Sequence, residues 1–420
     1  MPRHKLGRGV AVAGAGMSRF GLFPGQSGRD LFVEAFNAMR QSVDRGLDPR
    51  QIDAIYVGNF NSELFENQGQ LAPILADWTG LLPRPATRVE DACASGGVAL
   101  RQGILAIASG AYDIVLVGGV EKMSGLSIER VTDVLSTAAD VLYETPAGFT
   151  FPGFYAAIAT AYMTRYQATT EMLMDVTIKN HQNGAYNEKA QFQMTIRQVM
   201  EKAREQAAAK GLPAPGWKNE YDFLSDPRAN PPIAAPLCLY DCSPISDGAA
   251  AVLLVAENLA KAFSSVPLYV IGSGQASDGA FYSRPDLVSL RSARAAAWEA
   301  YEMAGVGPRD IKMAEVHDCF TIAEIIASED LGFFEPGTGV KAAQDGMTAR
   351  DGRVPLNTSG GLKAKGHPVG ASGVGQVVEV WKQMRAEAGG RQVSRDVNLA
   401  LTHNVGGTGQ TSAVHIFERR

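Results

Sequence analysis

The chain contains one structural unit twice, and that repetition limits its fold more than any other feature. Val10-Ala-Val-Ala-Gly-Ala-Gly reads as a buried strand closed by glycines, and Leu268-Tyr-Val-Ile-Gly-Ser-Gly repeats the pattern. Ile52-Asp-Ala-Ile-Tyr-Val-Gly is matched by Ile311-Lys-Met-Ala-Glu-Val-His, each following a turn, at Asp48-Pro49 or Gly307-Pro308. Asp91-Ala-Cys-Ala-Ser-Gly-Gly, a helix and Ile114-Val-Leu-Val-Gly-Gly correspond to Asn357-Thr-Ser-Gly-Gly, a helix over residues 374–385 and Val397-Asn-Leu-Ala-Leu-Thr-His. Finally, the strand opening at Asp247-Gly-Ala-Ala pairs with the one opening at Gly407-Thr-Gly-Gln. Strands alternating with helices predict an α/β protein with mainly parallel sheets covered on both faces, and the duplication predicts two such sheets.

The halves differ at one place. A long stretch separates Gly118-Gly119 from Asp247, whereas the second half joins its matching strands almost directly. The extra segment carries amphipathic stretches at 158–166, 172–179 and 196–210, and prolines at Pro213, Pro215, Pro231, Pro232 and Pro236. That composition predicts an ordered insertion over 121–240, a lid or loop domain. The first domain then comprises 1–120 and 241–265, and the second 266–420.

At 420 residues the chain exceeds what one hydrophobic core serves, and 45% apolar against 20% charged residues is the balance of a globular enzyme. A net charge of −5 with no basic run interleaved with aromatics argues against a nucleic-acid groove. The four cysteines, Cys93, Cys238, Cys242 and Cys319, match no zinc-finger spacing and imply a reducing compartment. No run is long enough to span a bilayer, and the short apolar stretch near the N-terminus does not make a secretory core, so a soluble, cytoplasmic protein is expected. Cys238 and Cys242 lack a second ligand pair, and core or strand-end packing is their better reading.

Cys93 lies where a β-favouring run ends in small residues and a helix over 97–109 begins. Free backbone N–H groups at that helix start favour a thiolate, so the reading is a reactive thiol with its pKa lowered toward neutrality. A small hydrophobe filling a tight turn is the alternative. Three polar clusters lie at strand or loop ends of the second half: His317-Asp-Cys319-Phe, Gly366-His367-Pro-Val-Gly and His403-Asn-Val-Gly-Gly. Strand carboxyl ends are where α/β sheets bind ligands, so these clusters and Cys93 are expected to form one site. His181 and His415 read as structural or solvated.

Together these residues resemble the thiolase superfamily along essentially the whole chain. Asp91-Ala-Cys93-Ala-Ser-Gly-Gly is similar to its nucleophile loop, Asn357-Thr-Ser-Gly-Gly through Gly366-His367-Pro-Val-Gly-Ala to its catalytic-histidine loop, and Ser246-Asp-Gly-Ala-Ala-Ala to the strand after its inserted domain. Most thiolases carry Asn-Glu-Ala-Phe at His317-Asp-Cys319-Phe and Cys-x-Gly at His403-Asn-Val405. Both departures resemble the sterol-carrier-protein and archaeal acetoacetyl-CoA branch. The resemblance implies a duplicated fold of two mixed five-stranded sheets in αβαβα layers with an inserted loop domain. It implies an acetyl-CoA C-acyltransferase that cleaves or forms 3-oxoacyl-CoA. Cys93 would be the nucleophile, His367 its base, and Cys319 the proton donor and acceptor at carbon, with a pKa nearer neutrality than a free thiol's. His317 and His367 would serve one oxyanion. The N–H groups of Cys93 and of a Val405-Gly406 turn would serve the other, Val405 standing where most of the family has glycine. His403 would line the pocket. Ser243 aligns with a serine that contacts CoA, although a turn-capping serine reads equally well. CoA is then a cosubstrate, with no metal and no resident cofactor. A homodimer or homotetramer, and in some relatives an OB-fold zinc-ribbon partner, also follow. A ketosynthase-like condensing enzyme and a non-catalytic acyl-CoA or lipid carrier are the competing readings; an aldolase-like relative is disfavoured by Cys93. Acyl length, direction and the role of residues 201–226 are not legible.

Overall fold

The computed structural model describes residues 5–420. Eleven strands are present among the described residues: β1 (Val10–Met17), β2 (Ala54–Gly58), β3 (Ala86–Val89), β4 (Ile114–Glu121), β5 (Pro232–Ala234), β6 (Leu237–Cys238), β7 (Gly248–Ala256), β8 (Leu268–Ser277), β9 (Met313–Glu315), β10 (Leu399–Gly406) and β11 (Thr411–Glu418). The short pair β5-β6 stands alone, and the other nine form a single sheet in the order β3-β2-β4-β7-β1-β8-β11-β10-β9.

Duplication is visible in that order. The first half supplies β3-β2-β4-β7-β1, and the second runs outward in the same sense from β8 through β11 and β10 to β9. The expected separation into two sheets fails because the first strands of both halves pair, Val10 with Val270, Ala11 with Tyr269 and Val12 with Leu268, antiparallel. The expected fifth strand of the second half is reduced to one bridge, Leu356 beside Ala314. Pro355 has no N–H to donate there and only its carbonyl accepts, from Ala314 N at 2.9 Å. Nor is the sheet mainly parallel. β2 pairs parallel with β3 and β4, and β9 with β10, while the joins through β7, β1, β8 and β11 are antiparallel.

Strands buried along their whole length, such as β1, β4 and β7, require cover on both faces. The helices Gly28–Ser42 and Arg291–Ala304 bury apolar stripes on the outer side of each half. Ser95–Ala108 and Ser372–Met384, close to their expected positions, lie in the middle. Their first turns touch: a Cβ on Gly373 would stand 2.3 Å from Gly97 N, and one on Gly96 would stand 2.8 Å from Gly370 O. Only glycine permits that approach, and it draws the loops preceding both helices to one point.

Between β4 and β7 the chain builds the inserted helices Ile128–Ser136, Phe151–Tyr166, Thr170–Gly184, Ile196–Ala209 and Glu220–Ser225. They pack over the second half through Tyr162, Leu173, Ile322 and Leu362. Among the described residues, no helix is long and apolar enough to cross a membrane.

Candidate active site

Cys93 sits two residues before the helix Ser95–Ala108, in a turn with Ala92 at φ 49°. Non-glycine residues adopt that conformation rarely, and here Ser95 enforces it: its hydroxyl accepts from Asp91 N at 2.8 Å and donates to Ala92 O at 2.6 Å. His317 follows β9, and His367 follows the short helix Gly361–Lys365. Cys93 Sγ and one ring nitrogen of each histidine all lie within 4.8 Å of one another. The imidazoles stand edge to face, centroids 5.2 Å apart. Cys319 lines the same cavity of about 180 Å³ as Cys93 and His367, with Met123, Leu135 and Phe320 as apolar wall. Ser243 N donates to Cys319 O at 2.9 Å, and Ser243 also borders a second, larger cavity. The sequence-derived set Cys93, Cys319, His317, His367 and Ser243 thus converges.

Hydrogen bonding gives the two histidines opposite tautomers. Asn404 Oδ1 accepts from Gly97 N at 3.0 Å, so its Nδ2 must face Cys93 O at 3.0 Å and His317 Nδ1 at 3.1 Å. His317 Nδ1 is therefore an acceptor. Its proton rests on Nε2, which is buried without a partner among the described residues and free to donate to a substrate oxygen. His367 Nδ1 lies 2.7 Å from Ser372 Oγ, whose proton is directed to Pro368 O at 2.9 Å. His367 then carries its proton on Nδ1 and keeps a lone pair on Nε2, which suits a base.

Electrostatics correct two expectations. Burial pushes the Cys93 thiol up to about 12, with Glu121 adding to the rise, while the N–H groups of Gly407 and of Cys93 itself oppose it. Burial also raises Cys319 well above a free thiol, opposed by a hydrogen bond from Tyr155. Neither thiol is poised near neutrality, because the helix end is sealed from water and desolvation outweighs its positive potential. Burial likewise holds His367 near 3 and His317 well below the usual imidazole range, the latter also disfavoured by His367 and His403. The resting site is accordingly a neutral thiol beside neutral imidazoles.

Two further expectations move by one or two residues. β10 runs straight through Val405 and Gly406, so no turn exists there; Val405 joins the apolar cluster around Tyr155 and Phe320, and Gly407 supplies the N–H that faces Cys93. His403 does not line the cavity. Alternation along β10 turns Asn404 instead toward Cys93 O and His317 Nδ1, while His403 is buried with neither ring nitrogen partnered among the described residues. Sequence reasoning passed over Asn404 and Gly407; the period of two along β10 was the signal available. It also passed over Glu121, whose carboxylate accepts from Asn59 Nδ2, Phe60 N, Asn61 N and Gly370 N, and Asp318, which accepts from Leu362 N at 2.7 Å. A Cβ on Gly361 would meet that carboxylate at 2.1 Å, hence the glycine pair in Ser359-Gly-Gly. Outside the site, His415 is held between Ser273 and Gly97, and His181 stacks on Phe192.

Residues 10–258 match the thiolase N-terminal domain family and residues 274–419 the thiolase C-terminal domain-like family. The chain belongs to the thiolase family. An acetyl-CoA acetyltransferase of Methanothermobacter thermautotrophicus is 45% identical over 98% of this chain and 100% of its own length. That of Methanocaldococcus jannaschii is 41% identical over 98% and 99%. Such full-length likeness makes this thiolase an acyltransferase. The benzoylsuccinyl-CoA thiolase subunit BbsB of Thauera aromatica is 32% identical over 96% of both chains. Among solved structures, an Ltp2-ChsH2(DUF35) aldolase superposes with TM-score 0.79 at 24% identity over 98% of each chain. Human mitochondrial 3-ketoacyl-CoA thiolase superposes with TM-score 0.69 at 17% identity over the full length of both. Both share the fold of this thiolase.

Proposed function

We propose that this thiolase cleaves short 3-oxoacyl-CoA, acetoacetyl-CoA first among them, and runs the reverse condensation through an acyl group on Cys93. The observation that carries the proposal is two thiols and His367 around one cavity, with the oppositely protonated His317 within 4.8 Å of Cys93 Sγ and of the His367 ring. With substrate bound, His367 Nε2 takes the Cys93 proton as the sulfur attacks the 3-carbonyl; the oxygen that gains charge faces the N–H groups of Cys93 and Gly407. The C2–C3 bond breaks, its electrons form the acetyl-CoA enolate, and Cys319 S–H protonates carbon. His317 Nε2–H and the newly protonated His367 hold the enolate oxygen. CoA S–H then attacks the acyl carbon, its proton passing to the Cys319 thiolate, while the C–S bond to Cys93 breaks and the departing sulfur takes back the proton held by His367.

The larger cavity, about 1030 Å³, meets the catalytic one at Cys242, Ser243 and Pro244, and Lys202, Trp217 and Arg228 lie on its wall. Those cationic and aromatic groups suit the nucleotide end of CoA. Residues 201–226, with no role legible in the sequence, supply much of the outer wall. The confined apolar cavity beside Cys93 favours a short acyl group. Homo-oligomerisation, and a partner of the OB-fold zinc-ribbon kind, belong to this proposal; a DUF35 partner is named for the related aldolase.

Incubation with acetoacetyl-CoA followed by peptide mass analysis tests the reading. One acetyl group on Cys93, discharged by added CoA, supports it; acetyl-CoA formation with Cys93 never acylated refutes it. Cys319 separates this chemistry from that of a decarboxylating condensing enzyme, which needs no second thiol.

A further inference from the structure

Two loops carry the catalytic groups of the second half, His317-Asp318-Cys319 after β9 and the stretch from Asn357 to His367, and one fully buried carboxylate joins them. Asp318 Oδ1 accepts from Leu362 N at 2.7 Å, and its Oδ2 accepts from Asn180 Nδ2 at 2.8 Å and from Lys363 N at 3.4 Å. Every partner is a donor, so the group serves as a carboxylate, although burial and Glu324 raise its pKa.

Asn180 reaches Asp318 from the inserted helix Thr170–Gly184 and gives a second amide hydrogen to Glu324 Oε2 at 2.8 Å. Its Oδ1 is buried without a partner among the described residues, yet the amide cannot turn over, because the oxygen would then face two carboxylates. Glu324 is held in turn by Lys179 Nζ at 2.7 Å and by Asn357 Nδ2 at 2.8 Å. The bracket closes beside His317, where Val316 N donates to Asn357 Oδ1 at 2.8 Å.

The catalytic groups hang from different anchors. His367 is tied to the first half, its N–H donating to Ser246 Oγ at 2.9 Å, and its ring is fixed by Ser372 at 2.7 Å. His317 is fixed by Asn404 at 3.1 Å. Cys319 is located through its backbone, by Ser243 N on its carbonyl at 2.9 Å and by Asp318 immediately before it. We infer that Asp318, held by Asn180, is a positioning residue that fixes Cys319 Sγ relative to Cys93 and His367. Asp318 borders neither the catalytic cavity nor the larger one, so it acts through Cys319 and not on substrate. The insertion, which also walls the larger cavity, thereby reaches the proton-transfer centre through one asparagine.

The inference rests on the proposed thiolase chemistry, and its test separates the two. Asp318→Asn keeps the shape, but its NH₂ must face either Leu362 N or Asn180 Nδ2, donor against donor. Acetylation of Cys93 by acetyl-CoA, which needs Cys93 and His367, is expected at the parental rate. Exchange of acetyl-CoA α-protons into heavy water, and kcat for acetoacetyl-CoA thiolysis, should fall roughly ten- to a hundredfold with KM little altered, the upper figure being what about 1 Å of misplacement can cost. In the ligand-free protein, bridging of Cys93 to Cys319 by dibromobimane, resolved by peptide mass, should drop while iodoacetamide still alkylates each thiol singly. Asn180→Ala leaves both catalytic loops unaltered and should move exchange and bridging in the same direction by a smaller factor. Folded variants with parental bridging and parental exchange overturn the inference, as does Cys93 acetylation that falls as far as exchange does. Parent protein that neither acetylates Cys93 nor exchanges protons overturns the proposed reaction instead, while the bridging comparison still decides the role of Asp318.

Discussion

Asn404→Asp is the substitution that most directly tests the proton arrangement in the site. The change preserves shape. One carboxylate oxygen keeps the bond from Gly97 N at 3.0 Å, and the other replaces Nδ2 at 3.0 Å from Cys93 O and 3.1 Å from His317 Nδ1. An oxygen there repels the Cys93 carbonyl and demands a proton from His317. The imidazole proton moves to Nδ1, and Nε2 turns from donor to acceptor in front of the enolate oxygen. Loss of one such donor costs about a hundred- to a thousandfold in kcat. Acetoacetyl-CoA thiolysis, followed by loss of substrate absorbance, should show that drop with KM little altered, and the His317 nitrogen shifts should report the exchanged tautomer. A folded Asn404→Asp protein with parental kcat would refute the reasoning, because the structure offers His317 Nδ1 no other partner among the described residues.

Cys319→Ala should still accept an acetyl group on Cys93 yet lose carbon–carbon cleavage and α-proton exchange; unchanged turnover sinks the two-thiol scheme. Glu121→Gln leaves two of four buried donors facing an NH₂ in either amide orientation, because Oε1 serves Asn59 and Asn61 while Oε2 serves Phe60 and Gly370. Asn59 cannot turn over to help, since its Oδ1 holds Ser62 N. The expected loss is about 2–6 kcal/mol, read as a lower urea midpoint at pH 8; an unchanged midpoint contradicts the count. The pH dependence of Cys93 follows from its sign. A thiol pushed up to about 12 is protonated through the neutral range, so ligand-free alkylation of Cys93 should climb about tenfold per pH unit from 6 to 10. A plateau near pH 7 would instead indicate a preformed thiolate–imidazolium pair.

Repeated strands closed by glycines made the duplicated plan legible, and β1, β2, β4 and β7 each find the counterpart that the pattern implies. The fusion of the two halves into one sheet was not legible, since it depends on the backbone of Val10–Val12 meeting Leu268–Val270 far along the chain. Cys93, Cys319, His317 and His367 could be named because chemistry dictates their residue types. The protonation of the thiols could not, because it follows from burial by residues drawn from both halves and the insertion. Asn404 was hidden for a different reason. Two adjacent polar residues on β10 face opposite ways, and only the register distinguishes the one that reaches Cys93 from its neighbour.

The passage at Cys242, Ser243 and Pro244, common to both cavities, has a kinetic consequence. In the proposed reaction both thioesters reach Cys93 through it, so the first product is expected to depart before the next thiol arrives, with the acyl group waiting on Cys93. Substrates should therefore compete with one another's entry at high concentration, and initial-rate plots at varied fixed CoA should run parallel. One doorway shared by both substrates thereby ties the order of events in the proposed cycle to the order of their entry.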